Sequence, residues 1–256
     1  MNRIENWIIK LTPKAKFISR LCSSYLNKYE NNNNCEMETN GELYVMKKFL
    51  PKSQTVFDVG ANIGDWSKLA LEINPKLNIH CFEPSKYTYK KLKENIGSKV
   101  NTNNSGLSSQ NKTETLHIFE DGEGMNSIYK RIGLVNLQQN KTEAIELKTL
   151  DEYCQNKNIT HINFMKVDVE GHELEVFKGS KSMLHNNCIS IIQFEYGGCN
   201  IDSGVFLKDI FGFFENLNYV FYKIYHNKLM KVENYKQTLD NFQYQNWLII
   251  NKNFSF

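Results

Sequence analysis

Short runs of β-branched and aromatic residues alternate along this chain with stretches whose apolar positions recur every three or four residues. The first kind suits buried strands and the second suits helices packed on a sheet. The pattern predicts strands at Thr55–Val59, Asn78–Phe82, Asn163–Asp168 and Ile189–Phe194. Helices fall between or after them at Asp65–Ile73, Ser85–Ile96 and Glu173–Lys178. Pro75 ends the first of these helices, Ser85 is placed to cap the second, and Gly179 lies near the end of the third. Such alternation predicts an α/β fold: a parallel sheet with helices on both faces. Strand-like runs at Glu114–Phe119 and Glu143–Thr149 and a short helix at Leu150–Gln155 precede the third strand. An aromatic helix over Val205–Leu217, able to bury against the sheet or against another subunit, leads into strands at Tyr219–Tyr225, Lys228–Val232 and Gln245–Ile250.

The first 50 residues have a different character. Residues 1–30 read as helical and basic, with Trp7, Ile8, Ile9, Leu11, Phe17, Ile18, Leu21, Tyr25 and Leu26 interleaved with Arg3, Lys10, Lys14, Lys16, Arg20 and Lys28. A basic amphipathic stretch can lie on a membrane surface or dock a partner. The simpler expectation is that it packs over a sheet edge or caps a substrate cleft. Asn31–Asn34 is a low-complexity linker, and Glu42–Leu50 resumes a helix with Leu43, Met46, Phe49 and Leu50 on one face. This divides the chain into an N-terminal helical extension, 1–50, and a main domain, 51–256.

Composition narrows the class. The chain has 256 residues, enough for one large α/β domain, and 23% charged against 41% hydrophobic residues is ordinary for a globular protein. A net charge of +3 is too small to argue for nucleic acid. The six cysteines are scattered with no C-x-x-C pair, which speaks against zinc and for free thiols in a reducing compartment. No apolar run approaches the ~18 residues of a membrane span. A cytoplasmic protein is expected.

The candidate chemistry centres on the loop after the first strand, Asp58-Val59-Gly60-Ala61-Asn62-Ile63-Gly64-Asp65. Gly60 and Gly64 allow a sharp turn and a close approach. A dinucleotide fingerprint starting at Gly60 would need glycine where this chain has Asn62 and Asp65, and Asp65 would repel a pyrophosphate. An acidic loop suits a ligand that carries a cation, such as S-adenosylmethionine (SAM) with its sulfonium and amino groups. Glu83 follows the second strand at about 20 residues past the loop, where α/β sites place the acid that binds ribose hydroxyls. Four central strands end on acids, Asp58, Glu83, Asp168 and Glu195, so a parallel sheet would gather four carboxylates on one rim. They would repel one another unless something positive sat among them, namely a sulfonium, an amino group or a metal.

Three ordered segments carry a family likeness: Asp58-Val-Gly-Ala-Asn-Ile-Gly64, Phe82-Glu83-Pro84 and Lys166-Val-Asp168-Val-Glu170-Gly171-His172-Glu173. Over residues 54–200 the chain resembles the FkbM-type family of SAM-dependent methyltransferases. The resemblance implies a Rossmann-like class I methyltransferase sheet, mostly parallel with an antiparallel final strand, and methyl transfer to an oxygen of a sugar, glycan or natural product. It implies a cofactor site of Asp58, Gly60, Ala61, Asn62, Gly64, Glu83 and Asp168. A further strand over Asn101–Ser108, polar for a strand, follows from the family order, as do Ser105 and Gly106 near the adenine. The glycine-rich loop at 121–127, with Asn126 and Ser127, resembles the family's serine-bearing segment.

Methyl transfer to oxygen needs a hydroxyl held at attack distance and a base for its proton. Asp168, Glu170, His172 and Glu195 are the candidates, His172 because it titrates near neutrality. Glu173 is expected to begin a helix, where its charge suits the dipole. Alternatively Asp168 and Glu195, at the ends of adjacent strands, share a divalent metal such as Mg²⁺ that lowers the pKa of the acceptor hydroxyl. Acceptor selection is expected from residues 1–50, the 121–140 loop and the segment after Glu195, with Tyr196, Tyr222 and Tyr225 as aromatic platforms. Two rivals stand beside this reading: a nucleotide-dependent oxidoreductase and a non-catalytic binding module. A homo-oligomer is left open.

Overall fold

The structure is a computed structural model, and it describes residues 7, 9–119, 124–132 and 141–254. Arg3, Ile8 and most of the 121–140 loop, singled out above, lie outside the described residues.

An eight-stranded sheet forms the centre, in the order β10-β9-β11-β8-β7-β1-β2-β3. Its strands are β1 (Thr55–Val59), β2 (Asn78–Phe82), β3 (Asn101–Asn103), β7 (Ile162–Val167), β8 (Ile189–Tyr196), β9 (Tyr219–Tyr225), β10 (Lys228–Val232) and β11 (Gln245–Asn251). β3, β2, β1, β7 and β8 are mutually parallel, and β11 runs antiparallel between β8 and β9. The expected class I methyltransferase arrangement, parallel with an antiparallel final strand, is what the chain adopts.

Strand periodicity assigns each residue to a face. Phe57, Val59, Met165, Val167, Ile192 and Phe194 enter one apolar cluster, with Phe177 and Phe214 from helices Glu173–Lys178 and Leu207–Phe214. Val56, Phe164, Ile191 and Leu248 enter the other, with Val45, Met46 and Phe49 of helix Glu42–Phe49 and Trp66 of helix Asp65–Ile73. Helix Glu42–Phe49, expected as part of an N-terminal extension, thus packs on this face of the sheet. On this second face one row is polar. Asp58, Lys166 and Gln193 are register neighbours across β1, β7 and β8. Glu42 lies over them and accepts from Gln193 Nε2 at 2.7 Å.

The aromatic helix is shorter than expected, Leu207–Phe214, and buries Leu207, Ile210 and Phe214 against the sheet. The expected strand over Asn101–Ser108 is two strands in two sheets. Asn101–Asn103 extends the main sheet. β4 (Gly106–Leu107) instead joins β5 (Lys112–Ile118) and β6 (Lys141–Lys148) in a second sheet of order β4-β6-β5. The break falls at Asn104, whose side-chain amide donates to the carbonyls of Glu83 and Pro84, both at 3.0 Å. This local bonding competes with strand pairing. Helix Lys16–Glu30 buries no residue, so it does not pack over a sheet edge as the simpler expectation had it.

Two glycines after β1 are required by sterics. Gly60 has φ +82°, and a Cβ there would lie 1.8 Å from the Asp168 carbonyl oxygen. Gly64 has φ +93°, and its Cβ would meet Ile96 and Leu92 side chains at 2.3–2.7 Å. Gly97 has φ +67° but open space around it. Gly60→Ala is therefore expected to cost at least about 2 kcal/mol, strain and clash together, and Gly97→Ala only about 1 kcal/mol. Urea unfolding midpoints compare the two, and equal losses would show that contact with Asp168 does not constrain the loop.

Candidate active site

A cleft of about 630 Å³, open mouth included, lies beyond the carboxyl ends of β1, β2 and β7. That is where an open α/β sheet presents its ligand site. Gly60 and Asn62 form its floor, Glu83, Pro84 and Thr88 one side, and Asp168, Val169, Glu170 and His172 the other. Gly106 and Leu107 with Leu116, Ile128 and Leu147 supply an apolar wall from the second sheet. Gly106 permits this packing, since a Cβ there would lie 2.7 Å from Leu147.

Glu83 is buried, and its two carboxylate oxygens accept from different backbone amides. Asn62 N–H donates to Oε2 at 3.1 Å and Ser85 N–H to Oε1 at 2.9 Å. Burial pushes its pKa up to about 7 against these bonds. Asn62 holds a left-handed φ of 47°, and its buried Oδ1 has no hydrogen-bond partner among the described residues. An unsatisfied acceptor on a cleft floor is what a ligand donor would fill.

The turn after β7 is built by Glu173. Rather than sitting on the surface at a helix start, it is fully buried. Its Oε1 accepts from Val169 N–H at 3.1 Å and Gly171 N–H at 3.2 Å. That bonding supports the left-handed φ values of Glu170 (54°) and Gly171 (97°). His172 is buried too. Its Nδ1 pairs with the Tyr129 hydroxyl at 2.9 Å and its Nε2 with Ser108 Oγ at 3.0 Å. Burial pushes its pKa down to about 4, so the ring is neutral near pH 7 with both nitrogens engaged. Ser127 Oγ donates to the Glu170 carbonyl at 2.9 Å and fastens the neighbouring loop to the same turn.

Oxygens of Asp168, Glu170 and Glu195 lie within 4.8 Å of one another. Burial and the adjacent Asp168 push Glu170 up to about 8, opposed by Arg131, whose Nη1 lies 2.8 Å from its carboxylate. Burial, with Asp168 and Glu170 close by, pushes Glu195 well up. Part of the positive charge that these acids call for is supplied by the chain itself. Lys166 Nζ donates to Asp168 Oδ2 at 2.9 Å. Burial opposes its charge, but Asp168, Asp58 and Glu42 outweigh that and hold the ammonium above its ordinary range.

Of the residues named from the sequence, Gly60, Asn62, Glu83, Gly106, Asp168, Glu170 and His172 line the cleft together with Asn126. Asp58, Ala61, Gly64, Ser105, Ser127 and Glu195 are not part of its lining. Asp58 does not end β1. It is one residue inside the strand and faces the opposite side of the sheet from Val59, where Ser67 Oγ donates to its Oδ2 at 2.6 Å. Glu195 is likewise inside β8, opposite Asn246 of β11. Tyr196 belongs to the core, donating to Asp240 at 2.7 Å, and the Tyr225 hydroxyl is taken by Glu30 at 3.3 Å. Sequence reading gave no role to Lys166, Ser108, Tyr129 or Arg131. Lys166 alone had a signal, as the one charged residue in β7.

The chain matches the model of the methyltransferase FkbM domain over residues 58–221. It is 24% identical over 142 residues to the 2-O-methyltransferase NoeI of Sinorhizobium fredii, covering 50% of this chain and 58% of that protein. It is 30% identical over 179 residues to the hexuronic acid methyltransferase AglP of Haloferax volcanii, covering 66% of each. The chain thus spans less than two thirds of the length of the curated relatives it matches. Among solved structures, it aligns with M. capricolum TrmK in complex with S-adenosyl-homocysteine (SAH) at a TM-score of 0.45 and 16% identity, over 83% of this chain and 68% of that one.

Removing the buried cation is the sharpest test of this electrostatic frame. Lys166→Met leaves Asp58, Asp168 and Glu42 without their counter-charge, at an expected cost of about 3–5 kcal/mol near pH 7. The deficit should shrink as pH falls, because protonating the carboxylates removes the repulsion. Urea unfolding at neutral and mildly acidic pH reads both, and a small, pH-independent loss would contradict the frame.

Proposed function

Since the chain belongs to the methyltransferase FkbM domain family, we propose that it transfers a methyl group from SAM to a hydroxyl oxygen of a sugar, glycan or sugar-containing natural product. The observation that carries this reading is a single cleft with a polar floor and an apolar wall at one end and carboxylates at the other. The relatives' activities on a 2-O position and on hexuronic acid support the acceptor class.

The residues fit the cofactor. Glu83 is positioned to take ribose hydroxyls, the orphaned Asn62 Oδ1 to take a ligand N–H or O–H, and Leu107, Leu116, Ile128 and Leu147 to face an adenine. SAM supplies an electrophilic methyl on a sulfonium sulfur. The acceptor hydroxyl is held at the acidic end, where Asp168, anchored by Lys166, accepts its proton. Ionised Glu170 beside it adds negative charge that favours drawing the hydroxyl proton toward this end of the cleft. His172 is a positioning residue here, because both ring nitrogens are engaged.

A divalent ion is the second reading, favoured by the three carboxylates gathered within 4.8 Å. Mg²⁺ would bind carboxylate oxygens of Asp168, Glu170 and Glu195, displacing the protons that burial favours on Glu170 and Glu195, and would polarise the hydroxyl. A cytoplasmic setting belongs to the same proposal, since all six cysteines are free.

Calorimetric titration with SAH tests the cofactor half. Wild type is expected to bind with a Kd of about micromolar order and Glu83→Gln at least about tenfold more weakly. Absence of wild-type binding would overturn the reading, and an NAD titration would then test the oxidoreductase rival. Added Mg²⁺ should raise turnover if the metal is used and leave it unchanged if Asp168 acts alone. Turnover on a sugar acceptor should rise with pH through about 8, where Glu170 loses its proton. Glu170→Gln should flatten that limb, and Asp168→Asn should cut turnover by about 10²-fold or more while sparing SAH affinity.

A further inference from the structure

We propose that helix Lys16–Glu30 is a docking element for an anionic lipid surface. Phe17, Leu21, Tyr25 and Tyr29 recur every four residues along it and form one stripe. Their exposures are 71%, 53%, 68% and 65%, and Leu26 beside them is 56% exposed. A helix that showed such a stripe to water alone would pay for it without return, so a partner is implied.

Charge identifies the partner. From Trp7 to Tyr29 the chain carries Lys10, Lys14, Lys16, Arg20 and Lys28 and no acid. The acid that follows, Glu30, is bound by Lys223 at 2.6 Å. A second copy of the helix laid on this stripe would bring these cations against their own kind. An anionic bilayer surface attracts them while its acyl boundary receives the apolar side chains. Tyr25 and Tyr29, stacked with ring centroids 6.2 Å apart, are residue types that settle at the headgroup level.

The helix's attachment leaves the stripe available. Its contacts with the domain are at its C-terminal end. There Asn31 Nδ2 donates to the Asn40 and Ile224 carbonyls, and Gln245 Nε2 donates to the Glu30 carbonyl at 3.0 Å. Gln245 is next to Asn246, the register partner of Glu195. The root of the helix is therefore beside the acidic end of the cleft. On the proposed methyl-transfer reading, docking would hold the acceptor end close to the bilayer; the docking itself does not depend on that reaction.

Vesicle sedimentation of the full chain tests this. Vesicles of phosphatidylcholine and phosphatidylglycerol should retain it at low salt, and pure phosphatidylcholine should retain it at least about tenfold less. High salt should weaken the anionic arm. Trp7, 64% exposed beside buried Trp66 and Trp247, should shift its emission to the blue on vesicles. Leu21→Ser with Tyr25→Ser, and separately Lys16→Glu with Arg20→Glu, should abolish retention. Thermal unfolding and SAH affinity should stay unchanged, because no residue of this helix is buried. Two results would overturn the proposal. One is equal retention of wild type and both variants, or none of wild type. The other is a dimer by light scattering that the Ser variant converts to monomer, which would assign the stripe to a second copy.

Discussion

A lysine ammonium buried in the middle of a sheet is the constraint on which the site depends. Lys166 lies inside β7 with Asp58 beside it on β1, Glu42 above it and Asp168 at the strand's end. Ions buried in low dielectric are costly unless paired, and each member of this group makes the others tolerable. Helix Glu42–Phe49 is drawn in by the same group, since its Glu42 carboxylate bonds Gln193 in the polar row while Val45, Met46 and Phe49 bury around it. One electrostatic cluster thus positions a helix, closes one face of the sheet and orients the carboxylate offered to the cleft.

The opposite end of the cleft relies on backbone conformation. Gly60 passes so close to Asp168 that no side chain fits, and both its N–H and that of Ala61 donate to the Phe82 carbonyl. The loop after β1 is thereby tied to β2 and pressed on the end of β7, which brings Asn62 to Glu83. The turn at Glu170 and Gly171 is held by the buried carboxylate of Glu173, and His172 links it to Ser108 and Tyr129. Two turns, each stabilised by an acid that accepts backbone N–H groups, flank the carboxylates of Asp168 and Glu170.

Much of this was legible from residue pattern. Strand β1, the glycine loop and the helix after it fall where the apolar run and the glycines predicted. So do β2 with Glu83 and β7 with the Asp168–Glu173 turn. These are short-range signals: side-chain period, turn chemistry and order along the chain. The second sheet was only half legible. Its strands β5 and β6 were expected, but the split at Asn104 depends on side-chain bonds to the carbonyls of Glu83 and Pro84, some 20 residues earlier. Asp58 and Glu195 were placed on the rim from strand ends. Each is one residue inside its strand, and the pleat alternation turns it to the face that carries Lys166.

What the sequence by itself determined is the α/β order, the parallel sheet with its antiparallel closing strand, and the acids that the fold brings around the cleft beyond β1, β2 and β7. Each follows from local periodicity and from residue types adjacent in the chain. What only the tertiary structure decided is which charges meet. The sequence called for a cation among the carboxylates and suggested a ligand or metal. The fold shows that Lys166 pairs with Asp168 and lies beside Asp58, that Asp58 serves the sheet interior, and that His172 and Glu173 hold a turn. Some of those roles are local, but the pairing of Lys166 with Asp58, of Glu42 with Gln193 and of His172 with Ser108 joins residues far apart in the chain, and burial there sets both protonation and partner, neither of which is a property of any residue alone.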